Sequence, residues 1–198
     1  MYFEVTHDIY LDKGNLTSTL DYINGVLSQV KILYENEDIN WEVSEILVWD
    51  VPDPYDGPGS GDYLVQFRNE LDGNYNGDLA ALLGYGGGGG VAYLDVLCNN
   101  FFGVSYSGIG SSYNDVPEYS WTIMVISHEI GHNIGSPHTH ACVWNGNGTP
   151  IDGCGPEAGY SEGCDGPLPS QGTVMSYCHL LGSVGIDLGE GFHPPVAD

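Results

Sequence analysis

The stretch HEIGHNIGSPH, residues 128–138, carries three of the chain's 7 histidines at positions 128, 132 and 138. His128 and His132 are four apart, so on a helix their imidazoles leave the same face one turn apart. Upstream, Asp115-Val116-Pro117-Glu118 has the form of a helix start, with Asp115 as N-cap and Glu118 reaching back. At about 100° per residue, Trp121, Val125, His128 and His132 share one face, and Ile123, Ile126, Ile130 and Ile134 share the opposite one. A helix apolar on both faces is expected to lie buried between two layers. Gly135 is the residue that can leave it through a left-handed conformation.

Before this helix, strands and helices alternate. Tyr2–Tyr10 reads as a strand, and Leu16, Leu20, Ile23, Leu27, Val30 and Tyr34 recur at helical spacing behind Asn15 as N-cap. Trp41–Trp49 reads as a strand, Pro52–Gly61 as loop and Asp62–Leu71 as a short helix. Asp78–Tyr85, Val91–Cys98 and Gly103–Ile109 read as further strands, an alternation that predicts an α/β layer with a mixed sheet. The run Gly86–Gly90 lacks the Lys-Ser/Thr of a phosphate-binding loop and the helix opening of a dinucleotide fingerprint, so it reads as a hairpin connection. The sequons at Asn15 and Asn147 are too short a pattern to weigh.

The histidine spacing has chemical content. Two imidazoles one turn apart can reach one ion at Zn–N distances near ~2 Å. Beyond Gly135 the chain bends through Ser136-Pro137, which lets His138 fold back as a third ligand. Three neutral imidazoles leave zinc its full charge and an open position, where the pKa of water falls towards ~7. Glu129 is rotated to the flank, where it can act on that water without ligating the ion. Non-haem iron would want two histidines and a carboxylate, so the donor set favours Zn2+. A chance cluster of surface histidines is the competing explanation, and the extended pattern HExxHxxGxxH argues against it.

The chain has 198 residues, 41% hydrophobic and 15% charged, enough for one domain or one domain with two lobes. Its 27 acidic residues face only Lys13, Lys31 and Arg68, which excludes nucleic acid and disfavours anionic membranes. No apolar run approaches membrane-spanning length, so no membrane insertion is expected. The first residues lack the basic and apolar regions of a signal peptide, so the chain is either cytosolic or a mature segment. Cys98, Cys142, Cys154, Cys164 and Cys178 are not spaced as CxxC pairs. Four of them crowd a Gly- and Pro-rich region that would profit from disulfides, which points to a secreted, extracellular setting with one cysteine left over.

HEIGHNIGSPH at 128–138, with Val174-Met175-Ser176-Tyr177 downstream, resembles the metzincin metallopeptidases, and most nearly their adamalysin (reprolysin) subgroup. Gly90-Val91-Ala92-Tyr93 followed by Cys98 is similar to the edge strand with which that group aligns peptide substrates. The resemblance implies a zinc-dependent endopeptidase with His128, His132 and His138 as metal ligands and Glu129 as general base. It implies Met175 as a hydrophobic floor, protein or peptide substrates and a monomer.

The implied fold is α/β (α+β): a two-lobe catalytic domain with a mixed, mostly parallel five-stranded sheet. Its active-site helix ends at a glycine turn and its C-terminal lobe is small and irregular. Residues 1–198 form one domain, with an upper lobe at 1–135 and a lower lobe at 136–198 that stops short of a C-terminal helix. The resemblance further implies Ca2+ at positions matching Glu4 and Asp78, disulfides Cys154–Cys164 and Cys142–Cys178, and Cys98 without its partner. With no cysteine-containing pro-segment in view, the domain is expected to correspond to a mature form. In place of the subgroup's aspartate after the third histidine stand Thr139 and His140. Tyr177 either stabilises an oxyanion or packs. Two other functions are open: a binding module whose zinc is structural, closed by His140 or Tyr177, and a zinc hydrolase acting on a non-peptide bond.

Overall fold

The first residues, Tyr2–Val5, form a strand, β1, and the chain then turns at once into helix α1, His7–Lys13. The strand expected through Tyr10 therefore ends early. Asp8 lies in the first turn of α1, Lys13 in its last, and Gly14 closes it in the left-handed region with its N–H on Tyr10 O. In the computed structural model residues 1–192 are described; the C-terminal stretch Pro194–Asp198, expected to lack a helix, lies outside them. The chain divides into two compact units, Met1–Tyr113 with Ser120–Gly135, and Asn114–Tyr119 with the residues from Ser136 onward.

In the first unit α1 is followed by α2 (Leu16–Glu35), β2 (Glu45–Val48), α3 (Ser60–Leu71), β3 (Ala80–Gly84), β4 (Gly90–Ala92), β5 (Val104–Gly108) and α4 (Trp121–Asn133). Asn15 caps α2 as expected, its side chain accepting from Ser18 N at 3.0 Å. The five strands make one sheet in the order β2-β1-β3-β5-β4, parallel except for the edge strand β4. Every residue of β1, β3 and β5 is buried, as strands covered on both faces must be.

Two strands are shorter than their apolar runs. Only Glu45–Val48 of the segment from Trp41 pairs, and only Gly90–Ala92 of the segment running to Cys98. The glycine run is not a hairpin, because β5 lies between β3 and β4. Its chain crosses the end of β5, where Gly108 N donates to Gly89 O at 2.8 Å. Gly87, Gly88 and Gly89 all have positive φ, and a Cβ on Gly108 would stand 2.7 Å from Gly89 O. That crossing needs residues without side chains.

Helix α4 begins at Trp121, not at Asp115. Residues Asn114–Tyr119 belong to the second unit, where Glu118 N closes a turn on Asp115 O at 3.0 Å. The signals of a capping box serve a turn here, because Val116 precedes Pro117 and is pushed out of the helical region. From Thr122 to Gly131 every α4 residue is buried. The helix packs on α2 along one side and on β4 and β5 along another. Tyr34 OH of α2 donates to Ser127 O at 2.7 Å within that interface.

The second unit has little regular structure: α5 (Cys154–Glu157) and 3-10 turns at Cys178–Leu180 and Leu188–Glu190. Its disulfides are Cys142–Cys164 and Cys154–Cys178, with Cα atoms 5.7 and 4.9 Å apart. The expected pairing Cys154–Cys164 and Cys142–Cys178 is thus exchanged. The exchange follows burial: Cys154 and Cys178 are both fully buried, where α5 meets the Cys178–Leu180 turn, whereas Cys142 and Cys164 are only half-buried. Cys98 is a free, exposed thiol, as expected.

Candidate metal centre

Helix α4 delivers His128 and His132 side by side. Their rings stand at 90° with centroids 4.6 Å apart, and their Nε2 atoms are 3.1 Å apart. Two nitrogens bound tetrahedrally to one ion at ~2.05 Å would lie about 3.3 Å apart, so the pair fits a zinc ion. The end of the helix is anchored to the sheet edge. Asp95 N donates to His132 O at 2.9 Å, and the buried Asn133 amide donates to Tyr93 O and Val104 O at 2.9 and 3.2 Å. Gly135, with φ +108°, then takes the chain out of the helix, its N–H on His132 O at 3.0 Å.

Glu129 is 5% exposed, and burial pushes its carboxyl up to about 8 from the ordinary 4.5. Its side chain lies against Gly90 of β4. A Cβ on Gly90 would come 2.6 Å from Glu129 Cγ and 2.8 Å from its Cδ, and closer still to Oε1. The glutamate is held at the edge strand by the absence of a side chain opposite it.

His138 belongs to the second unit, where its surroundings are dense with polar and aromatic groups. His138 Nδ1 is 2.5 Å from Glu162 Oε1. His140 stacks on it at 4.8 Å and 10°, and Tyr177 meets both rings edge-on at 4.6 and 4.9 Å. Trp144 Nε1 donates to His138 O at 2.7 Å. Thr139 N donates to Met175 O at 3.1 Å, which ties the segment after His138 to Met175, a fully buried residue. Burial and the neighbouring His138 hold the His140 imidazole below its usual pKa range.

The expected residues therefore stand in two groups: His128, Glu129 and His132 on α4, and His138, His140, Met175 and Tyr177 in the second unit. Sequence reasoning missed three contributors. Asn133 and Gly90 had visible signals, a polar residue inside an apolar helix end and a glycine opening a strand. Glu162 had none, lying 24 positions from His138 in an irregular stretch. The calcium expectation finds no support. The Glu4 carboxylate is 3% exposed and accepts from Tyr2 OH, Trp49 Nε1 and Tyr55 OH at 2.7–2.8 Å. Neither Glu4 nor Asp78 belongs to a metal-ligating group among the described residues.

The Reprolysin_5 family, described as metallo-peptidase family M12, matches residues 1–178. Among solved structures, a chain from a chaperone–substrate complex matches with a TM-score of 0.51 at 15% identity, covering 72% of this chain. The match takes in only 24% of that longer chain, and at this identity it concerns the fold alone. No curated protein matches.

Proposed function

Because the chain belongs to metallo-peptidase family M12, we propose that it is a secreted zinc endopeptidase in which His128, His132 and His138 hold the ion and Glu129 is the general base. The observation that carries the proposal is the convergence of His128 and His132 Nε2 atoms, 3.1 Å apart, on a buried helix. His138 follows His132 by six positions across the Gly135 bend, a short enough tether to complete the set. When bound, zinc supplies a Lewis acid that polarises the scissile carbonyl and acidifies water.

The protein's own groups do the rest. Glu129 takes a proton from the attacking water and delivers it to the leaving amine. A carboxyl that burial favours in its protonated form suits the delivery, and the positive charge of a bound ion favours the carboxylate that must first accept. β4 is the last strand of the sheet, so its outer edge can pair with an extended peptide and align it beside Glu129. Substrates are proteins or peptides, and the enzyme acts as a monomer. Two disulfides support a secreted location, and among the described residues no helix is long and apolar enough to cross a membrane.

The test is digestion of a denatured protein with and without chelator. Cleavage should stop on chelation and return with Zn2+. Glu129→Ala should keep the metal and lose activity; near-wild-type cleavage by that variant would refute the assigned role. Zinc binding without any peptide cleavage would leave the binding-module or non-peptide hydrolase readings instead.

A further inference from the structure

Glu162 lies in an irregular stretch of the second unit. Its carboxylate meets two histidines of that unit: Oε1 is 2.5 Å from His138 Nδ1 and 3.5 Å from His140 Nε2. A carboxylate accepts, so this contact favours the His138 tautomer that carries its proton on Nδ1 and leaves Nε2 as the acceptor. That is the tautomer a metal ligand needs when it binds through Nε2.

The rest of the surroundings leave the His138 ring little freedom. His140 covers one face and Tyr177 meets it edge-on. His140 is itself fixed, 1% exposed, with Gly155 against its ring; a Cβ there would stand 2.5 Å from His140 Cγ and Cδ2. Glu162 is fixed from the main chain. Cys164, two residues on, is bonded to Cys142, and Cys142 Sγ lies 3.3 Å from Glu162 O. Between them Gly163 has φ +100°, which a side chain would disfavour, and its N–H donates to Ser161 Oγ at 3.1 Å. The Cys142–Cys164 disulfide thus fastens the main chain two residues beyond the carboxylate that meets His138.

We propose that Glu162 is the positioning residue of His138, setting its tautomer and ring orientation for metal binding, and that the Cys142–Cys164 disulfide keeps it in place. The proposal rests on the reading of His138 as a zinc ligand. It accounts for His140 as a stacking support and not a ligand.

The metal-free chain, titrated with Zn2+ against a chromophoric chelator and separately loaded with Co2+, tests this. Glu162→Ala should weaken zinc about 10- to 100-fold and shift the visible Co2+ bands, with the far-ultraviolet circular dichroism of the metal-free protein unchanged. Glu162→Gln keeps an acceptor without the charge and should fall between. The double variant Cys142→Ser, Cys164→Ser should reproduce part of the loss; wild-type affinity there would remove the disulfide from the proposal. Zinc affinity within about twofold of wild type for both Glu162 variants would overturn the positioning role. His138→Ala, measured alongside, separates the two readings. If it binds zinc as well as wild type, the ligand assignment fails; if it alone loses zinc, only the role of Glu162 fails.

Discussion

Glu129 and Gly90 form a pair in which one residue's position depends on the other's lack of a side chain. A methyl group at 90 would occupy the space of the Glu129 side chain, with Cγ at 2.6 Å and Cδ at 2.8 Å. Gly90→Ala should cost about 1–3 kcal/mol through overpacking. Because the displaced group is the proposed base, kcat should fall at least about tenfold while zinc stoichiometry stays at one. Metal analysis beside steady-state kinetics would check both, and unchanged kcat would mean that Glu129 finds another productive position. The burial of Glu129 also predicts a pH dependence. Its folded pKa, about 8, stands above the ordinary 4.5, so between those values the folded, metal-free state holds a proton that the unfolded chain releases. The associated stability is complete below about pH 4.5 and is lost as pH rises through about 8, on the order of a few kcal/mol. In chelator-treated protein, Glu129→Gln should flatten that part of the denaturation-against-pH curve.

At the scale of elements, α4 matters because of where it ends. Asn133 holds that end to the sheet with two hydrogen bonds from one amide, to carbonyls of Tyr93 and Val104. Asn133→Ala leaves buried acceptors without that donor and should cost about 1–3 kcal/mol. Thermal unfolding of the metal-free protein would register it, and an unchanged midpoint would show the helix end is held by packing alone. The body of this helix was legible in the sequence because its apolar and histidine positions keep a 3.6-residue period that no other arrangement satisfies. Its start was not, since an Asp-x-Pro-Glu sequence suits a turn as well as a capping box. The parallel strands were legible as apolar runs, but the runs overshoot: β1 stops at Val5 because the fold needs α1 there, a constraint invisible to alternation. The crossing of β5 by the glycine run, the exchange of disulfide partners and the contact of Glu162 with His138 share one cause. Each joins residues distant in sequence through loops, where spacing carries no period to read.

Over the whole molecule, the property that composition alone decides is charge. The net charge is −24, and the three cations are already engaged. Lys13 pairs with Asp12 and Lys31 with Glu42, each at 2.8 Å, while the Arg68 guanidinium lies 5.0 Å from the Phe101 ring centroid and donates to Tyr93 OH at 2.7 Å. The ion pairs are at the surface and worth little. Most of the remaining carboxylates repel one another without a counter-charge, and that repulsion is relieved when the chain expands on unfolding. Salt shortens the range of the repulsion, from about 10 Å at 0.1 M to about 3 Å at 1 M. In an ordinary protein of mixed charge, screening attractions and repulsions roughly cancels; here there are almost no attractions to lose. The unfolding midpoint should therefore rise by several degrees between about 0.1 and 1 M NaCl, most steeply at the low end where the screening length changes fastest. Sodium and potassium chloride should act alike, because the effect is one of screening and not of a bound ion. A midpoint that is flat or falls with salt would mean that the acidic side chains stand far enough apart, in both folded and unfolded states, for their repulsion to be immaterial to stability.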